Sequence, residues 1–260
     1  MLLTYIVLAT FAGGLLSVLV AASLTVGVLS RLVKSLVSLS AGILLGTSLL
    51  NVLPEAFESP LAHPQALFAT LLGGLLFFWL LEKVELYRHV HHHEGDGHHH
   101  HHHFDAEQAG RGGLAVLVGD GIHNFCDGVI IAAAFLADVK LGVATSLAIV
   151  AHEIPQEVGD FIVLVNAGFS RRKALLFNAL SGLAAVVGGV LGYLLIGSFE
   201  QGLPYLLVLA SSSFIYVSVA DLLPQLQQRL AWRETLAQVA WLAAGLSVAF
   251  GISQLLHGAH

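Results

Sequence analysis

Two stretches decide the fold: "DGIHNFCDGV", Asp120 to Val129, and "IVAHEIPQEVGD", Ile149 to Asp160. Each sets histidines, carboxylates and amides inside one of the most apolar parts of the chain. Long apolar runs are the raw material of membrane-spanning helices, and polar groups within such runs require partners or a purpose.

The surrounding chain fixes the setting. It has 260 residues, of which 56% are hydrophobic and only 11% charged, with a mean hydropathy of +0.81. Soluble domains are about 25% charged, so a water-soluble globule is excluded. Apolar runs of about 20 residues recur from end to end, each long enough to cross a hydrocarbon core as a helix. The strict alternation of barrel strands is missing. The sequence therefore predicts an all-α polytopic membrane protein whose immediate partner is the lipid bilayer. Turn residues and charges divide it into eight transmembrane helices near 3–29, 34–58, 64–88, 111–136, 140–168, 171–197, 203–229 and 234–257. The opening "MLLTYIVLATFAGGLLSVLV" lacks a basic leader region and reads as a retained first helix. A single cysteine, Cys126, rules out an intrachain disulfide. No basic and aromatic pattern points to nucleic acid.

Basic residues give the orientation. Arg31 and Lys34, then Lys83, Arg88 and Arg111, then Arg171, Arg172 and Lys173, and finally Arg229 and Arg233 all fall at connections on one side, opposed only by Lys140. The positive-inside rule makes that side cytoplasmic. Both termini are then extracytoplasmic, in the plasma or inner membrane of a cell. Residues 89–110 form the one long connection, "HVHHHEGDGHHHHHHFDAEQ" and its flank. It cannot pack a core and is expected to be a disordered cytoplasmic loop. Its imidazoles can hold borderline metals such as zinc, as a buffer or sensor.

The polar groups then find a common depth. At 1.5 Å per residue, His123 lies about 17 Å along the fourth helix, near the midplane of a ~30 Å core. Asp127 follows on the same face, with Asn124 beside it. The fifth helix runs the other way and brings His152 and Gln156 on one face, with Glu153 and Glu157 on an adjacent one. An unpaired carboxylate at this depth costs at least ~2.5–3.5 kcal/mol. One polar residue can be satisfied by an interhelical hydrogen bond. Two histidines, three carboxylates and two amides in register point instead to a cation, which stabilises the anions while the imidazoles complete a nitrogen and oxygen shell. Pro155 adds to this by freeing or bending away the carbonyl near Ala151. Gly128 and Gly159 are expected to permit close helix approach.

"HNFCDG" and "HEIPQEVGD" resemble the paired motifs of the ZIP (Zrt/Irt-like) family of divalent-metal transporters, HNxxDG on the fourth helix and HExPxE on the fifth. The resemblance implies a metal site of His123, Asn124 and Asp127 with His152, Glu153 and Gln156, and Glu157 matches the last carboxylate of the motif. On the second helix, "GTSLLNVLPEAF" is similar to a family segment that often carries a histidine at the place of Asn51, toward the outer half. Asn51 and Gln156 thus put harder oxygen donors where relatives have imidazole, leaving room for iron, manganese or cadmium beside zinc. The sixth helix offers Asn178 and Ser181 but no acid of the kind some relatives bring to a second metal position. The resemblance further implies a moving unit of helices one, four, five and six, a scaffold of the other four, and a homodimer.

A short internal echo, "NVLPEA" at 51–56 and "DLLPQL" at 221–226, suits an inverted repeat around the two-helix metal site. The function expected is import of divalent transition metals, zinc foremost, into the cytoplasm past Glu55, Asn51 and Glu58, without enzymatic chemistry. Two other readings compete with it. A cation exporter would use similar acidic helices. An intramembrane zinc metalloprotease would need "HEIPQ" to serve as HExxH, with Gln156 standing where the second histidine belongs.

Overall fold

The computed structural model describes residues 1–23, 26–90, 106–166, 168–197, 200–227 and 231–257, and the regular elements among them are all helical. Six helices are unbroken: α1 (Leu2–Ser23), α3 (Pro64–Val90), α4 (Ala106–Ala137), α5 (Val139–Asn166), α6 (Arg171–Ile196) and α8 (Trp232–His257). The other two each change pitch. Helix α2 runs through Val26–Thr47, a π-helical turn Ser48–Val52, and Leu53–Glu58. Helix α7 runs through Leu203–Tyr216, a π-helical turn Val217–Leu222, and Leu223–Gln227. By length and composition seven helices can cross a membrane. Helix α5 is not among the seven, because His152, Glu153, Gln156, Glu157 and Asp160 dilute its apolar run.

Two expected boundaries need correction. The first helix ends at Ser23 rather than near 29, and the second begins at Val26 rather than near 34. Arg31 and Lys34 are both good helix formers, and a charged residue does not by itself stop a helix. The loop expected at 89–110 is also shorter, since α3 continues to Val90 and α4 starts at Ala106, on the helix-favouring "AEQA". The histidine run at 91–103 lies outside the described residues.

Short-range chemistry sets the turns near the site. Asp138, alone between α4 and α5, accepts from the backbone N–H groups of Lys140 at 2.8 Å and Leu141 at 3.1 Å, capping α5. Gly168, at φ +88°, supplies the left-handed residue after α5, and Ser170 caps α6 by accepting from the Lys173 N–H. These caps hold α4, α5 and α6 as consecutive antiparallel neighbours.

Glycines sort the helices into two packed bodies. The Cα of Gly182 on α6 lies 3.2 Å from where a Gly14 side chain on α1 would begin, a Cβ at Gly128 on α4 would strike the Ala185 carbonyl of α6, and one at Gly188 would strike the Phe125 carbonyl. In the other body Gly42 and Gly245 let α2 and α8 meet backbone to backbone, and Gly74 lets α3 meet Ser212 of α7. Among the described residues every such close approach falls within α1, α4, α5 and α6 or within α2, α3, α7 and α8. The seam between the bodies is filled differently, by a shared aliphatic cluster that includes Val37 and Leu44 of α2, Ile131 of α4, Ile149 of α5 and Phe214 of α7. Interlocked backbones resist sliding, whereas a seam of side chains has alternative packings.

Gly159 departs from its expected role, since a side chain there would meet nothing within 4 Å. It faces away from the neighbouring helices, so close approach at this point of α5 does not depend on it. Gly128→Ala should therefore destabilise the purified protein by about 1–3 kcal/mol through overpacking. Gly159→Ala should leave stability unchanged or raise it by up to about 1 kcal/mol through helix propensity. Thermal unfolding of the two variants in detergent checks the contrast.

Candidate metal centre

Helices α4 and α5 converge on four side chains: His123, Asp127, His152 and Glu153, each offering one ligand atom, all within 4.8 Å of one another. The two imidazole Nε2 atoms are 3.2 Å apart. His152 Nε2 lies 3.1 Å from Asp127 Oδ2 and 3.5 Å from Glu153 Oε1, and His123 Nε2 lies 3.7 Å from both carboxylate oxygens. Zinc bonds of about 2.0–2.2 Å to nitrogen and oxygen give a tetrahedron with edges of about 3.3–3.6 Å. Five of the six donor–donor distances, 3.1–3.7 Å, bracket that value, so the spacing suits a small divalent cation held between the four donors.

Local bonding prepares the donors for such a role. His152 Nδ1 sits 3.3 Å from the Ala148 carbonyl, which takes the ring N–H and leaves Nε2 to present its lone pair. Asp127 Oδ2 and both Glu153 oxygens are buried without a hydrogen-bond donor. Buried carboxylate oxygens ordinarily find donors, and here they face two imidazole nitrogens and each other. Asp127, His152 and Glu153 are almost wholly buried, while the His123 side chain remains 23% exposed and forms the accessible edge of the hole.

Comparison with known proteins points the same way. The profile of the family described as ZIP Zinc transporter matches residues 84–253, more than half of the chain. The chain belongs to the ZIP family. It is 44% identical over 109 residues to "Zinc transporter ZIP4" of Mus musculus, covering 42% of this chain and 16% of that protein. It is 34% identical over 141 residues to "Zinc transporter foi" of Drosophila melanogaster, covering 54% of this chain and 19% of that protein. With "Zinc transporter ZIP10" of Danio rerio the figures are 41% over 112 residues, 43% of this chain and 13% of that protein. The chain thus spans less than a fifth of the length of these curated relatives.

The remaining ZIP motif residues lie just outside the four-donor hole. Asn124 and Gln156 both turn their amide nitrogens to Asp120, one turn before His123, at 3.1 Å and 3.3 Å from its Oδ1. Asn124 Nδ2 also reaches the Asp120 backbone carbonyl at 3.2 Å, and the Ser181 hydroxyl donates to Asp120 Oδ2. Asp120 therefore ties α4 to α5 and α6. It opens the quoted motif, yet sequence reasoning passed it over; its place one turn from His123 was the available signal. Glu157 is fully buried with neither oxygen partnered, and its backbone carbonyl accepts from Asn178 Nδ2 at 2.7 Å. Asn51, in the π-helical turn of α2, donates to the Ala249 carbonyl of α8 at 3.3 Å and keeps its own carbonyl oxygen buried and unpartnered. Of the residues expected at the site, four form the hole, Asn124 and Gln156 adjoin it through Asp120, and Glu157 and Asn51 lie outside it.

The carbonyl that Pro155 releases has found a partner across the seam. Pro155 has no N–H for Ala151, and the Ala151 carbonyl instead accepts from Ser40 Oγ of α2 at 2.5 Å. This bond joins the two bodies one residue before His152. Ser40→Ala should cost about 0.6–1.7 kcal/mol, the range of interhelical hydrogen bonds in membranes. In a Pro155→Ala background, residue 155 regains an N–H for that carbonyl and the cost of Ser40→Ala should fall toward zero. A double-mutant cycle on unfolding in mixed micelles measures the difference.

Proposed function

We propose that this chain carries divalent transition-metal ions, zinc foremost, across its membrane into the cytoplasm, with His123, Asp127, His152 and Glu153 as the transient binding site. The observation that carries the reading is the close set of two imidazole nitrogens and two carboxylate oxygens, three of them deeply buried and the oxygens without donors. A divalent cation is the simplest partner that satisfies two anions and two lone pairs at once. The zinc transporters it resembles in sequence support the choice of cargo.

The passage reads as follows. A hydrated ion arrives from outside past Glu55, Glu58 and Asn51, whose unpartnered carbonyl oxygen offers a first neutral ligand. It sheds water at the four-donor hole. Asn124, Gln156 and Glu157 supply oxygen on the way inward, and these harder donors admit manganese, iron or cadmium beside zinc. Access alternates, because a pore open from end to end would leak protons and sodium. The division into two packed bodies supports a rearrangement of one against the other. Orientation follows from the basic residues: termini outside, the histidine-rich segment 91–103 at the receiving face. The homodimer implied by the family resemblance belongs to the same proposal.

Purified protein in liposomes, loaded from outside with zinc, tests the reading. Wild type should accumulate zinc above empty vesicles, and His123→Ala or Glu153→Ala should drop the initial rate to the empty-vesicle level with insertion unchanged. Wild-type uptake by both variants would remove the site; zinc moving only outward from loaded, right-side-out vesicles would reverse the direction.

A further inference from the structure

The Asp120 cluster has a use that the four-donor hole does not explain. Asp120 is buried and accepts from donors on three helices: the Asn124 amide on its own helix, Gln156 on α5 and Ser181 on α6. A carboxylate in such a cradle acts as an acceptor, so the end of each amide that faces it is the NH2 end. Nitrogen and oxygen point apart across an amide carbon. Fixing the NH2 end therefore fixes where the carbonyl oxygen points.

That choice is not the one the empty hole would make alone. Asp127 and Glu153 hold buried oxygens with no donor, and they would draw an amide NH2 toward themselves. Gln156 stands three residues after Glu153 and Asn124 three before Asp127, spacings that put each amide on the side of its helix carrying one of those carboxylates. An NH2 group turned into the hole would bind those carboxylates and occupy the cation's place. Both amides turn to Asp120 instead.

We propose that Asp120 is a positioning residue for the cation path: it holds the NH2 ends of Gln156 and Asn124 away from the metal site, so that the path meets only their carbonyl oxygens. Asp120 does not touch the ion in this arrangement. It acts through Gln156 above all, whose flexible side chain has the most freedom to turn. The inference rests on the transport reading above and deepens it.

The test is a double-mutant cycle of zinc uptake in liposomes: wild type, Asp120→Asn, Gln156→Glu and both together. Asp120→Asn keeps the shape but offers its own NH2, which lets Gln156 turn over. Apparent KM for zinc should rise by roughly 10- to 100-fold, the usual loss when a group that orients a metal ligand is removed, with a smaller change in maximal rate. Glutamate at 156 presents oxygen whichever way it turns and has no NH2 end to restrain. In that background Asp120→Asn should raise KM by less than about threefold, or lower it by donating to the new carboxylate.

The same rise in KM in both backgrounds would overturn the proposal, since Asp120 would then act on the ion or the fold directly. Absence of zinc uptake by wild type would defeat the transport reading instead, so the two failures are distinguishable. Asp120→Glu, which keeps an acceptor, should recover most of the lost affinity, and failure to recover any counts against positioning. If Asp120→Asn does not insert, the same cycle with Asp120→Ser decides the matter, because serine also removes the carboxylate.

Discussion

Two imidazoles and two carboxylates share a volume a few ångströms across inside a helical bundle, and no internal donor serves the carboxylate oxygens. Everything else about the centre follows from that constraint. Carboxylates so close together repel in a low-dielectric interior and would scatter or take up protons without compensation. The chain instead fixes them. Antiparallel α4 and α5 set HNxxD against HE at one level, the Asp138 cap joins the helices through a single residue, and the Ala148 carbonyl chooses which nitrogen of His152 carries the proton. Preorganised donors lower the cost of gathering ligands around a cation that has lost its water.

All four donors sit on α4 and α5, hence within one of the two glycine-packed bodies. A shift of that body against the other would leave the spacing of the four donors unchanged. From the other body the Ser40 hydroxyl meets a carbonyl that Pro155 made available. At the far end of α5, Lys140 Nζ reaches the Leu255 carbonyl of α8 at 3.2 Å, again across the seam. Contacts of this sort can be exchanged for water or another hydroxyl without repacking a core. Interlocked glycines cannot be exchanged so cheaply, and they lie where no sliding is needed.

The helices and the cluster of His123, Asp127, His152 and Glu153 were legible in the sequence for different reasons. Helices announce themselves through apolar length, and the site through polar residues at helical spacing inside those lengths. His123, Asp127, His152 and Glu153 met as the i,i+4 spacing and the antiparallel hairpin require. The turn between α1 and α2 was misjudged because charge marks the water boundary, not the end of a helix. Gly159 was misread because composition records that a glycine is present but not which way it faces. The roles of Asp120, Ser181 and Ser40 were hidden for a related reason: each depends on the rotation of one helix about its axis relative to another. Tertiary packing fixes that angle, and no local pattern reports it.

The π-helical turns carry the internal echo from sequence into backbone. In "SLLNVLP" and "SVADLLP" a serine stands six residues before a proline, and the N–H of the leucine just before that proline bonds to the serine carbonyl five residues back. The physics is the same in each copy. Proline offers no N–H to the carbonyl four residues earlier and crowds it, and widening the preceding turn by one residue relieves the clash. Each widened turn carries a polar residue three positions before its proline, Asn51 in α2 and Asp221 in α7. Ser48 also donates to the Ser211 carbonyl at 3.3 Å, tying the first widened helix to the second. The same device recurs in two helices at the same distance before a proline. Helices α2 and α7 thus each carry one widened turn with one polar side chain, Asn51 and Asp221, and the Asp221 carboxylate accepts from Gln225 Nε2 at 2.9 Å.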